Sequence, residues 1–319
     1  MRSNIPRRAG ALAGVAVLML LLGGCISMPQ SEALREAPPR GLPSRVELTA
    51  VPFHEQGDFL CGPAALAMVF NAAGAPGDVE SLTPQVYLPG RHGSLQAEML
   101  GAARRAGLVA YTPAPKLEAL LRELAAGTPV VVLLNLSVKL IPVWHYAVVI
   151  GYDLDKREVI VRSAGRARDE WSFAFLEFFW QDSGYWSMLA LPPGRLPASA
   201  GAGDFAPAVA ALERTGKVRE ARASYAALLE RWPDDLVGRI GLGNSDYALK
   251  DLAGAERAFR RAADAHPESA AALNNLAQVL GELGRLDEAE AYARRAAAIE
   301  GPLRAEAGKT LEEIRARRR

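Results

Sequence analysis

Apolar positions divide the chain into three stretches of different character. Residues 11–22 (ALAGVAVLMLLL) form an unbroken apolar run behind Arg2, Arg7 and Arg8. Between Arg45 and Leu196 short β-like runs alternate with amphipathic stretches. Val46 to Phe53 reads as extended. Cys61 to Ala73 (CGPAALAMVFNAA) reads as a helix, with Pro63 in its first turn and Gly74 just past its end. Leu95 to Ala106 and Lys116 to Ala126 read as amphipathic helices, closed by Gly107 and Gly127. Pro129 to Leu136 (PVVVLLNL) has the continuous β-branched run of a buried strand. Trp144 to Gly151 and Glu158 to Ser163 read as two strands joined by a turn at 152–157. The aromatic-rich stretch from Trp171 to Trp186 reads as the last helix and strand of this domain, its rings packed in the core.

From about Asp204 the composition shifts to Ala, Glu, Arg and Leu, and the sequence repeats itself at 34 residues. Ala221, Ala255 and Ala289 fall on this period, as do Tyr225 and Phe259, and Trp232-Pro233 with His266-Pro267. Small residues where two helices touch, an aromatic just beyond and a proline after the second helix suit antiparallel pairs stacked in series. The pattern resembles the tetratricopeptide repeat, in three copies over residues 204–301, with Leu303 to Arg317 as a capping helix. The first copy departs from it, with Val209 where a small residue is expected. The terminal Arg317-Arg318-Arg319 complements the dipole of a helix end.

At 319 residues, half of them hydrophobic and 23% charged, the chain is long enough for two domains with cores of their own. The 12-residue apolar run is short for a membrane span and has signal-peptide proportions. Leu22-Gly23-Gly24-Cys25 follows it and resembles the bacterial lipobox. That resemblance implies removal of residues 1–24, lipidation of Cys25 and attachment to a membrane of the bacterial cell envelope. Ile26, in place of the Asp associated with inner-membrane retention, implies the outer membrane, with the protein facing the periplasm. Residues 25–44, with Pro29, Pro38, Pro39 and Pro43, read as a stiff tether. Without its leader the chain has 34 Lys+Arg (37 less Arg2, Arg7 and Arg8) against 36 Asp+Glu, which argues against nucleic acid as a partner.

Only two cysteines are present, Cys25 and Cys61. With Cys25 acylated, Cys61 is a lone thiol in an oxidising compartment, with no partner for a disulfide. Its place at a helix N-terminus favours the thiolate. Gln56, five residues earlier, can donate an amide N–H beside the Cys61 backbone N–H, and two such donors make an oxyanion hole. Of the four histidines only His145 lies in an apolar strand. A Cys and a His distant in sequence can meet as nucleophile and base. The histidines have no metal-ligand spacing, and neither a metal nor a cofactor is expected.

These residues carry a second resemblance. Gln56 to Leu66 (QGDFLCGPAAL) together with Trp144 to Tyr152 (WHYAVVIGY) is similar to the C39 family of papain-like cysteine peptidases, and most of all to its lipoprotein members with tetratricopeptide repeats. It covers residues 50–190 and implies an α+β papain-like cysteine peptidase domain over 45–196, followed by an all-α tetratricopeptide repeat solenoid over 204–319. By the same resemblance Cys61 is the nucleophile, His145 the general base and then acid, and Gln56 an oxyanion donor. Substrates would be peptides or proteins, and the repeats would recruit a protein partner. One position departs from the family, which places an Asp on the strand after the histidine strand. If residue 145 pairs with 163, 147 with 161 and 149 with 159, the orienting position is Ser163. Three readings stay open: a weaker Cys–His dyad, an orienting acid from elsewhere such as Asp169, or a peptide-binding scaffold without turnover.

Overall fold

The computed structural model describes residues 27–201 and 203–318. Cys25 and the lipobox lie outside the described residues. In chain order the first domain contains α1 (Pro29–Glu36), β1 (Arg45–Glu47), α2 (Cys61–Ala72), α3 (Val79–Val86), β2 (Tyr87–Leu88), β3 (Gly93–Ser94), α4 (Gln96–Arg105), β4 (Val109–Tyr111) and α5 (Leu117–Ala125). It continues with β5 (Val130–Asn135), β6 (Trp144–Asp153), β7 (Glu158–Ser163), β8 (Arg166–Ser172), α6 (Phe173–Trp180) and β9 (Ser187–Leu191). The main sheet is antiparallel throughout, in the order β4-β9-β5-β6-β7-β8, and β1 pairs with the far end of β6.

Both faces of this sheet are covered, which explains the unbroken apolar run of β5. Val130, Val132 and Leu134 turn to one side, where α5, α6 and the start of the repeats pack. Val131 and Leu133 turn to the other and meet α2 and α4. Buried Val, Leu and Met side chains each contribute roughly 1.5–3 kcal/mol on leaving water. Most of α2 is therefore held by tertiary packing, every residue from Gly62 to Phe70 being buried. Gly151 is required where β1 crosses β6, because a Cβ there would lie 2.3 Å from the Val46 carbonyl oxygen.

The second region is a run of seven helices: α7 (Ala206–Glu213), α8 (Val218–Arg231), α9 (Leu236–Ala248), α10 (Leu252–Ala265), α11 (Ala270–Glu282), α12 (Leu286–Ala298) and α13 (Arg304–Arg318). They make three antiparallel pairs and a final helix. Ala221, Ala255 and Ala289 are fully buried at the helix contacts. The large Val209 of α7 also has a reason. It is fully buried in the same apolar cluster as Val109 and Tyr111 of β4, so the first repeat completes the core of the sheet domain. The capping helix α13 buries Ala307, Thr310 and Ile314. Its terminal arginines do more than meet a dipole, since Arg318 pairs with Asp287 and Glu290; Arg319 lies outside the described residues.

Two expectations need correction. Of residues 25–44, read as a stiff tether, the described part from 27 onward is folded onto the domain. The backbone N–H groups of Gln30 and Ser31 and the Ser31 hydroxyl all donate to the buried Glu177 carboxylate of α6, at 2.9, 2.7 and 2.6 Å. The Gln30 side chain accepts from the Leu117 N–H, and Tyr152 donates to the Pro43 carbonyl at 3.1 Å. A helix N-terminus thus meets a buried carboxylate that needs donors, and the fit of the two holds the segment down. The β6–β7 register is also two residues from the one expected, with Val148 opposite Arg162 and Val149 opposite Val161, then a bulge before Gly151. A shift of two leaves every side chain on its expected face.

Candidate active site

A cleft of about 880 Å³ opens where β6 and β7 stop pairing, lined by Gln56, Cys61, His145, Tyr146 and Ala164 among others. The last paired residues of the two strands are Val148 and Arg162. Beyond them the Tyr146 peptide has no β7 partner, and residues from the segment before α2 take the place of a strand. The Gln56 side chain spans the gap. Its Nε2 donates to the Tyr146 carbonyl at 3.3 Å, and its Oε1 accepts from the Ala164 N–H at 2.8 Å. The Tyr146 N–H meets the Cys61 sulfur. The segment itself is pinned by Arg162, which donates to the Val51 carbonyl at 2.7 Å, and by His54, bonded to Asn71 of α2 at 2.8 Å. His54 is thereby a structural residue.

Cys61 is the first residue of α2, and Leu60 before it supplies no side-chain cap. The Cys61 N–H is one of the donors that every helix start leaves without an intrahelical partner. Gly62 is required here, because a Cβ would lie 2.3 Å from Ser94 Oγ and 3.3 Å from Met99 Sδ. The helix-terminus argument predicts a lowered thiol pKa, and the structure corrects it. Burial pushes the Cys61 thiol up, against a smaller downward pull from the N–H groups of Tyr146, Gly62 and Cys61 itself. Removing an anion from water costs more here than the surrounding amides return.

His145 stands one residue before Tyr146 on β6, 84 positions from Cys61 in the chain. Its Nε2 is hydrogen-bonded to Ser163 Oγ at 2.9 Å, which leaves Nδ1 as the free ring nitrogen. The contact runs diagonally across the strand pair, so Ser163 reaches the ring despite the shifted register. Burial alone pushes the imidazole down to about 4, with no carboxylate acting against it. Thiol and imidazole are therefore both neutral at pH 7. Asp169 does not supply the missing charge, as its Oδ2 accepts from Trp171 Nε1 at 3.0 Å and pairs with Arg166 at 3.4 Å. Asp153 caps the hairpin turn by accepting from the Lys156 N–H.

Some parts of the cleft carry no sequence signal. Phe59 and His92 both have left-handed backbones (φ 63° and 48°), and their rings meet at a tilt of 44°, centroids 5.1 Å apart, at the cleft wall. Phe59 is 57% exposed, so the strain keeps an apolar ring at the rim. Tyr146 is buried, donates to the Ser94 carbonyl at 3.2 Å and meets Trp186 edge-on. Of the aromatic stretch, Phe173 and Trp180 are core residues, whereas Phe175 and Phe178 are exposed on α6. Among the described residues no cluster of His, Cys, Asp and Glu could hold a metal ion, and no helix is long and apolar enough to cross a membrane.

The Cys-helix, His-strand arrangement over a covered antiparallel sheet is that of a peptidase-type domain. Residues 48–188 match the model of the Peptidase_C39 like family, and residues 240–304 match a tetratricopeptide repeat model. No curated protein matches the chain. Among solved structures, a C39-like peptidase from Bacillus anthracis is 19% identical, with 47% of this chain and 98% of that one covered and a TM-score of 0.39. The type III secretion translocator chaperone SycD of Yersinia enterocolitica is 21% identical, with 35% of this chain and 82% of that one covered and a TM-score of 0.34. The first tetratricopeptide domain of Spaghetti (RPAP3), solved with an HSP90 peptide, is 23% identical, covering 34% of this chain and 86% of that one, with a TM-score of 0.33.

Proposed function

We propose that the protein is a cysteine peptidase held at a membrane of the bacterial cell envelope, the outer one, through a lipidated Cys25, and that its repeats recruit a protein partner or substrate. The observation that carries the reading is that Gln56, Cys61, His145 and Ser163, spread over more than 100 positions, come together at one cleft. His145 takes the thiol proton as Cys61 attacks a peptide carbonyl, then returns it to the leaving amine. Water, with its proton taken by the same ring, hydrolyses the thioester. The Cys61 N–H and the second amide N–H of Gln56, whose first is used on Tyr146, face the developing oxyanion; one such donor contributes roughly 3 kcal/mol. Ser163 orients the ring.

The neutral pair defines how the chemistry starts. No thiolate–imidazolium pair stands ready, so the proton moves as the substrate carbonyl is attacked. An acyl-reactive thiol probe tests the reading: labelling of Cys61 in the folded wild type, lost in His145→Ala, supports the enzyme. A second reading, a peptide-binding scaffold with little or no turnover, is favoured by one observation. The imidazole rests on an uncharged serine, which cannot stabilise imidazolium as a carboxylate would. No labelling of the folded wild type selects that scaffold.

A further inference from the structure

The loop between β5 and β6 is built to hold apolar side chains out in water. Leu140 is 90% exposed, Ile141 69% and Val138 63%. The backbone beneath them is ordered. The Leu136 N–H donates to the Val143 carbonyl at 2.8 Å and the Ile141 N–H to the Val138 carbonyl at 3.0 Å. Buried Asn135 accepts from the N–H groups of Ser137 and Val143 (3.1 and 2.9 Å) and donates to Asp182 at 2.8 Å. The loop divides into two parts. Its base, Leu136, Pro142, Val143 and Trp144, lines the cleft, whereas Val138, Lys139, Leu140 and Ile141 do not. A peptide in the cleft would leave the tip uncovered.

We infer that residues 138–141 insert into the headgroup–acyl boundary of an anionic bilayer and hold the mouth of the Cys61 cleft at the lipid surface. The tip carries one cation, Lys139, and no acid, which suits anionic headgroups. Trp144 at the base is half-exposed, in the place of an interfacial aromatic. The chain's own attachment points the same way, and here the inference rests on the proposed lipidation of Cys25. Only Ile26 and Ser27 separate Cys25 from Met28, three residue steps that span at most about 10 Å. Met28 is buried and leads directly into the docked α1, so no free tether lets the domain stand off. Both points of departure are fixed to one segment, α1 through Glu177 and the loop base through Asp182 five residues later. The attachment points of anchor and loop are thus five residues apart on one segment, and we take a bilayer reached by the first to be within reach of the second. The lipidated Cys25 holds the chain at the bilayer, and the tip fixes which face of the domain meets it.

The test uses the full chain with Cys25→Ser and Cys61→Ser and a nitroxide on Leu140→Cys, on phosphatidylglycerol–phosphatidylethanolamine vesicles. The same label on Leu283→Cys, at an exposed position of the repeats, is the reference. Residues 11–22 bring both proteins to the vesicles alike. On vesicles the label at 140 becomes at least fivefold less accessible to a water-soluble nickel chelate than the one at 283, and more accessible to oxygen. With Leu140→Asp and Ile141→Asp the same label on Val138→Cys stays as accessible to the nickel chelate as the one at 283, and in the wild-type cysteine background the double substitution leaves acyl-probe labelling of Cys61 in solution unchanged. That labelling separates a failure here from a failure of the peptidase reading. Equal nickel access at 140 and 283 overturns the inference. So does a label that stays in water while the double substitution raises KM for a peptide, which would assign the tip to substrate.

Discussion

Two polar sites, one in the repeats and one in the cleft, are constructed in opposite ways. Glu290 of α12 is surrounded by Arg294, Arg315 and Arg318 at 2.6, 2.9 and 2.7 Å, and these guanidinium groups hold its carboxyl down to about 2. Three charged donors occupy both of its oxygens inside the fold. His145 has one uncharged partner, Ser163, and keeps a free Nδ1 beside a cleft. In the proposed mechanism a first-turn N–H and one amide hydrogen of Gln56 are likewise kept for an oxyanion. The cluster that ties helices together spends its charges on one another, and the candidate site keeps donors and acceptors to spare.

Removing the reacting groups gives the largest effect. Cys61→Ser abolishes acyl-probe labelling, and His145→Ala slows it by about 10²–10⁴, the range for loss of a general base. Rate constants from mass-spectrometric time courses read both, and an unchanged rate in His145→Ala would break the comparison. Gly62→Ala comes next. Its methyl meets Ser94 Oγ at 2.3 Å and lowers stability by about 1–3 kcal/mol, measured by urea unfolding. Ser163→Ala loses a neutral hydrogen bond of about 0.5–1.5 kcal/mol, so labelling slows by no more than about tenfold. Ser163→Asp supplies the absent charge and raises the His145 pKa from about 4, followed by NMR titration of the imidazole.

The smallest effects separate the two sites by pH. His145 titrates at about 4 in the folded state against 6.5 for a free imidazole, so between these values the unfolded chain binds the extra proton. Its contribution to stability is complete above pH 6.5 and declines as pH falls toward 4; His145→Gln removes this slope. Glu290, at about 2 against 4.5, contributes fully above pH 4.5 and loses that contribution as pH falls through 2; Glu290→Gln lowers the melting midpoint at neutral pH and flattens the acid limb. Melting curves at stepped pH distinguish them. The labelling rate sharpens the cleft's side further. With a neutral pair it climbs with pH toward and beyond the ordinary thiol range, whereas a plateau between pH 6 and 8 would reveal an ion pair.

The legible parts of the fold are those whose side chains repeat at a fixed period. The start of α2 at Cys61, the doubly covered β5 and the helix pairs of the repeats follow from local apolar spacing. The pairing of His145 with Ser163 was legible as a face and not as a register, since strand periodicity fixes the first and the bulge near Gly151 alters the second. The edge strand β8 (RARDEWS) escaped notice because its residues are mostly charged and exposed. The docking of α1 escaped for another reason: its stabilising partner, Glu177, is 147 positions away from Gln30.

By itself the sequence determined the periodic elements, the 34-residue repeat and the candidate pair Cys61 and His145, because each is written within a few turns of chain. Tertiary structure alone decided that Gln56 bridges β6 to the β7–β8 turn, that the thiol is raised and the imidazole lowered, and that an apolar tip stands beside the cleft. Those properties depend on solvent exclusion and on contacts up to 108 residues apart, which arise only when separately formed elements pack together.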